Sequence, residues 1–97
     1  MLTGAQTQPT ITIVNNSSQE IRHLYLSPAD NDNWGPDQLN EAVVRPGESF
    51  PLSASCAQSQ IKVVAEDKDG CFLYETVSCA SNQTWTITND DARNCGN

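Results

Sequence analysis

The chain has 97 residues, twelve acidic side chains against five basic ones, a net charge of -7 and only 37% hydrophobic residues. That length holds one domain, and a domain this small buries only about 60–65% of its unfolded surface, so its apolar core needs reinforcement. The charge argues against nucleic-acid and anionic-membrane partners, which need Lys and Arg to neutralise phosphate, and no apolar run reaches the ~20 residues of a membrane span.

Residues 1–9 are small and polar and read as a flexible N-terminal arm, with residues 10–97 forming the single folded domain. The opening Met1-Leu2-Thr3-Gly4-Ala5-Gln6 has neither the basic nor the apolar region of a signal peptide. Together with the cysteines below, it reads as a mature exported chain whose signal has been replaced by Met1. Thr10-Ile11-Thr12-Ile13-Val14 alternates and is β-branched, which predicts a strand. Asn15-Asn16-Ser17-Ser18 is a turn cluster. From Glu20 to Leu26 alternation returns, with Ile21, His23 and Tyr25 on one side and Arg22, Leu24 and Leu26 on the other. Ser27-Pro28 ends this run, because proline cannot donate to a ladder.

A long loop follows. Asp30 to Glu41 reads D-N-D-N-W-G-P-D-Q-L-N-E. Asp30, Asp32, Gly35 and Glu41 fall on the first, third, sixth and twelfth positions of an EF-hand loop. Trp34 stands at the fifth position, where an oxygen ligand belongs, and the flanks are extended, so this is no EF-hand. A looser calcium site using Asp30, Asp32, Asp37 and Glu41 is the functional reading. The competing reading is a solvated loop whose Asp and Asn side chains bond their own backbone. Trp34 either pins the loop to the body or contributes to a ligand-binding surface. Asp37-Gln38-Leu39-Asn40-Glu41 reads as one short helical turn.

Ala42-Val43-Val44 resumes an extended run. Arg45-Pro46-Gly47-Glu48 fits a type II turn, with glycine where a positive φ is required. Ser49 to Ala54 is extended, and Pro51 marks it as an edge strand. Ile61–Glu66 and Cys71–Val77 flank Asp67-Lys68-Asp69-Gly70 and form the clearest hairpin. The Asp-Gly turn also resembles half a calcium loop, but Thr76 stands where the bidentate carboxylate would be. Thr84–Thr88 is the last strand. Tyr74 and Trp85 lie in alternating strands and read as core residues rather than sugar-binding platforms.

Runs of this length, separated by regular turn signals, predict an all-β compact β-sandwich, immunoglobulin-like or related, of about 6–7 strands, with one long loop and two disulfides. Cys56, Cys71, Cys79 and Cys95 are separated by 14, 7 and 15 residues, which suits disulfides rather than the close pairs of a zinc site. An extended run from Cys71 to Cys79 spans about 26 Å, against ~5.5 Å for a bridge, so these two do not pair. If Glu66 pairs with Cys71, Gln58 lies opposite Cys79 and Cys56 is one diagonal step away. The expected bridges are Cys56–Cys79 and Cys71–Cys95, with Cys56–Cys71 and Cys79–Cys95 as the alternative.

His23 is the sole histidine, and no nucleophile motif accompanies it. Asn15-x-Ser17, Asn16-x-Ser18 and Asn82-x-Thr84 match glycosylation sequons, a short and unspecific pattern.

Several motifs together resemble a group of small exported bacterial β-sandwich proteins. They are Asn15/Asn16-x-Ser, Ile21-x-x-Leu24-Tyr25-x-Ser27-Pro28, Trp34-Gly35-x-Asp37-x-Leu39, Pro46-Gly47-x-Ser49 and a Cys-strand-Asp-Gly-strand-Cys unit. The resemblance runs from Ile13 to about Cys79 and implies a compact sandwich with no activity to carry over. The expectation is a non-catalytic, secreted or periplasmic module that binds or builds at the cell envelope, with an unidentified protein or carbohydrate partner. The alternatives are a calcium- or carbohydrate-binding domain using the 30–41 loop, and a small carboxylate hydrolase, which would need a deep cleft.

Overall fold

The structure, a computed structural model, describes residues 8–30, 33–56, 58–91 and 93–95. Six strands form two sheets: β1 (Thr10–Asn16), β2 (Ile21–Pro28), β3 (Ser49–Ser53), β4 (Gln60–Asp67), β5 (Phe72–Ser78) and β6 (Gln83–Thr88). The first sheet has the order β3-β1-β6, and the second β2-β4-β5. β1 runs antiparallel to β3 and parallel to β6, while both pairings of the second sheet are antiparallel.

Alternation places one face of each sheet against the other. Ile11, Ile13, Leu52, Trp85 and Ile87 meet Leu24, Ile61, Val63, Ala65, Leu73 and Val77 in one buried cluster. Leu39 and Val44 enter the same cluster from the connection between β2 and β3. Pro9 is buried and its carbonyl accepts from the Ala54 amide, so the sandwich begins before Thr10. The rest of the expected arm, residues 1–7, lies outside the described residues.

Two expectations of register change. A bulge between Ile21 and His23 breaks the regular alternation of β2, so Ile21 and Leu24 both reach the core instead of facing opposite ways. In the hairpin, Glu66 pairs with Phe72, one residue beyond the expected Cys71. The cause lies in the turn: the Asp67 carboxylate accepts from the Asp69 and Cys71 amides, and Gly70 takes φ 79°. Asp67 thus closes the loop on Cys71, through a bond from its own amide to the Cys71 carbonyl. The shift leaves Cys56 within reach of Cys79, and the bridges are Cys56–Cys79 and Cys71–Cys95.

The turn at Arg45–Glu48 forms as its sequence predicts, with Gly47 at φ 86° and the Glu48 amide donating to the Arg45 carbonyl. Residues 38–41 make a turn rather than a helical segment, and Asn40 takes φ 56°. Short polar side chains tolerate that region best after glycine.

Asn15 is fully buried at the end of β1. Its amide nitrogen donates to the Gln19 and Val44 carbonyls, and its oxygen accepts from the Ser17 amide and hydroxyl. All four hydrogen-bonding positions of the side chain are used. The Asn15-x-Ser17 sequon is therefore a structural hub, closed to glycosylation in the folded chain.

Candidate functional site

The outer face of the second sheet carries the most distinctive surface. The register sets three rows across it: His23–Glu66–Phe72, Tyr25–Val64–Tyr74 and Ser27–Lys62–Thr76. These side chains point away from the core because they alternate with Leu24, Val63, Ala65 and Leu73, which point into it.

The long loop folds back over one side of this face. Gly35 donates its amide to the Leu26 carbonyl at 3.1 Å, and Gln38 donates to the Leu24 carbonyl at 2.6 Å. Asp37 completes the attachment. Its Oδ1 accepts from the Leu24 amide at 3.1 Å and the Leu39 amide at 3.0 Å, and its Oδ2 lies 2.6 Å from His23 Nδ1. Partial burial pushes the Asp37 carboxyl up, but the bonds to His23, Leu39 and Leu24 and the nearby imidazole outweigh it. The net pKa lies below the ordinary carboxylate value. Leu39, only 3% exposed, anchors the far end of the loop in the core.

This attachment delivers Trp34 onto the sheet. Its ring stacks on Tyr25 at 5.2 Å between centroids and leans against Phe72 at 5.3 Å. Val64, beneath this group, is 2% exposed although it lies outside the inter-sheet cluster. Trp34 and Tyr74 remain 39% and 68% exposed. A groove of about 550 Å³ lies among Trp34, Lys62, Val64, Phe72, Tyr74 and Asn94. Lys62 Nζ stands 5.8 Å from the Tyr74 ring centroid, within cation–π range. Burial, followed by the charges of Glu66 and Asp37, raises the Tyr25 phenol above its ordinary pKa and keeps it neutral.

Trp34 thus pins the loop to the body, one of the two roles open to it in the sequence, and its exposed part borders the groove. Trp85 is buried in the core as expected, but Tyr74 is not: it lies on the outer face, since only Leu73 and Val77 of that strand reach the cluster. Tyr25, Val64, Phe72, Tyr74 and Asn94 join the site through strand register. The even-numbered residues of β5 were readable as one face, but which neighbours they meet depends on β2 joining the same sheet.

The described calcium candidates, Asp30, Asp37 and Glu41, do not converge. Asp37 is committed to His23 and two amides, Asp30 Oδ2 accepts from Gln58 Nε2 at 3.3 Å, and Glu41 is exposed. Asp32 lies outside the described residues. Among the described residues, no three His, Cys, Asp or Glu side chains gather closely enough to hold a metal ion. The four cysteines are all bonded to one another, and His23 Nδ1 is occupied by Asp37.

No protein-family model matches the chain, and no curated protein matches its sequence. Its backbone is similar to the NMR structure of a protein from Eubacterium rectale, with a TM-score of 0.54 and 11% identity over 91% of this chain and 82% of that one. The two share a fold. At that identity the likeness extends no further than the arrangement of strands. No helix among the described residues is long and apolar enough to cross a membrane.

Proposed function

We propose that this protein is a non-catalytic, exported binding module of the cell envelope, and that its ligand is a neutral glycan held in the groove between Trp34 and Tyr74. The observation that carries this reading is the pair of exposed rings on one sheet face, walling a groove of about 550 Å³. That volume falls within the ~300–1,000 Å³ of ordinary ligand sites. Aromatic faces offer apolar surface to the C–H side of a pyranose, while the Lys62 and Asn94 side chains at the rim have the polar groups that hydroxyls need. The net charge of -7 disfavours acidic polysaccharides. Export is supported by two formed disulfides, which persist in oxidising compartments. The resemblance to small exported bacterial sandwiches agrees with this placement.

The test uses intrinsic tryptophan fluorescence during titration with a panel of neutral soluble polysaccharides. Trp34 is partly exposed and reports on the groove, while Trp85 lies in the core and serves as the internal reference. Saturable change that is lost in Tyr74→Ala at an unaltered melting temperature supports the reading. No response to any neutral glycan, or a response that survives removal of both Trp34 and Tyr74, overturns it.

A further inference from the structure

The edges of the two sheets are treated differently. The outer edge of β2 is largely covered: Ile21 and Val44 exchange two backbone bonds, the Leu24 amide and carbonyl are taken by Asp37 and Gln38, and the Leu26 carbonyl by Gly35. The edge strand β3 carries Pro51 in its middle, which blocks continuous pairing. On the β5 side, the described residues cover only one end. Phe72 and Asn94 exchange two backbone bonds at 2.7 and 2.8 Å, and the Cys71–Cys95 bridge holds that short segment in place.

The phase of the ladder shows what remains open. Cys71 and Cys79 bond towards β4, through the Asp67 amide to the Cys71 carbonyl and the Cys79 amide to the Ser59 carbonyl. In an antiparallel ladder the bonding direction alternates, so Leu73, Glu75 and Val77 also bond inward while Tyr74 and Thr76 point their backbone groups outward. No strand among the described residues meets them, because β5 pairs only with β4. A groove of about 490 Å³ runs beside this edge, between Trp85 of the facing sheet, Leu73 and Glu75 of β5, and Asp91 and Arg93 of the segment after β6, so its walls carry two carboxylates and one guanidinium. Glu75 shares its side of the strand with the core residues Leu73 and Val77, yet it is exposed and makes no ion pair among the described residues.

We propose that the open edge of β5 takes up an extended segment of a partner polypeptide that carries a lysine or arginine opposite Glu75. Backbone bonds to Tyr74 and Thr76 continue the pairing that Asn94 begins, and alternate side chains of the incoming strand enter the groove above Trp85. Charge selects the occupant. A second copy pairing through the same strand would set two Glu75 carboxylates face to face and join two chains that each carry -7. An inward-facing charge on an edge strand opposes self-association in this way, and the same charge attracts a basic residue. This edge adjoins the outer-face groove and shares Phe72, Tyr74 and Asn94 with it, but it engages Tyr74 through the backbone, and the inference does not rest on the glycan reading.

The probe is a short blocked peptide of alternating threonine and valine with a central lysine, together with its twin carrying a central glutamate. Binding is followed by heteronuclear NMR of the intact protein. The Tyr74 and Thr76 amides are expected to shift and gain exchange protection, and the lysine peptide is expected to bind about fivefold more tightly than its twin. Glu75→Lys, a change at an exposed side chain, should reverse that order. Thr76→Pro removes one outward N–H without touching the β4 ladder and should abolish binding; if that variant does not fold, the Glu75→Lys reversal decides. Absence of binding, shifts that avoid Tyr74 and Thr76, or a preference unaffected by Glu75→Lys would overturn the proposal. So would a protein that sediments alone as a dimer with those two amides protected, since a second copy would then hold the edge.

Discussion

Trp34 stacks on Tyr25 with the rings 5.2 Å apart and inclined by 24°, joining the tip of the longest loop to the strand that precedes it. The same indole is more than a third exposed, so one side chain secures the loop and shapes the surface. This separates two substitutions that both remove an aromatic ring. Trp34→Ala should lower stability by about 1–2 kcal/mol, through the lost stacking and the uncovered Val64. Tyr74→Ala, at a largely exposed ring, should stay within about 0.5 kcal/mol of the parent. Both should lose glycan binding, as read by parallel urea melts and by calorimetric titration, which does not depend on the Trp34 reporter.

Asp37 gives the loop its acid sensitivity. Its folded-state pKa is depressed, so its contribution is present above the unfolded value of ~3.9 and is lost as pH falls through the folded value. Thermal melts should therefore show stability declining on acidification below about pH 4, with a shallower decline in Asp37→Asn. Asp37→Ala at neutral pH strands the Leu24 and Leu39 amides and should cost about 1–3 kcal/mol. The emission of Trp34 should shift to longer wavelength as the loop loosens.

Asn15 should be the least replaceable polar residue. Asn15→Ala strips partners from the Ser17 amide and hydroxyl and from the Gln19 and Val44 carbonyls in a buried site. A loss of about 3 kcal/mol is expected, seen as a lower urea midpoint with an unchanged slope. Asn15→Asp, which lacks the two N–H donors, should fare no better.

Each disulfide closes a loop of similar size, with separations of 23 and 24 residues. The chain-entropy relation gives about 3.5 kcal/mol for either. Their local effects should differ. Replacing Cys71 and Cys95 by serine frees the segment that bonds Phe72, so hydrogen exchange should rise at Phe72 and Asn94. Replacing Cys56 and Cys79 should leave those two amides protected. Non-reducing peptide mapping of the parent should yield Cys56–Cys79 and Cys71–Cys95 peptides.

Local chemistry alone determined the strands, the Pro-Gly turn at Arg45–Glu48 and the Asp-Gly hairpin. Each follows from alternation or from a backbone angle that a few residues require. The bridges were legible in part: a continuous strand between Cys71 and Cys79 forbids their pairing whatever surrounds it, which leaves two connectivities, and the choice between them leaned on a hairpin register one residue away from the actual one. The hairpin register was not: it depends on where the Asp67 carboxylate finds amides, which is settled only when the turn closes. Likewise, the fate of Ile21 required the bulge in β2, and the exposure of Tyr74 required knowing which strands flank β5. The aromatic groove exists because β2, β4 and β5 share a sheet while Asp37 holds the intervening loop against its edge. Those contacts join residues far apart in the chain, and no local pattern encodes which strands become neighbours.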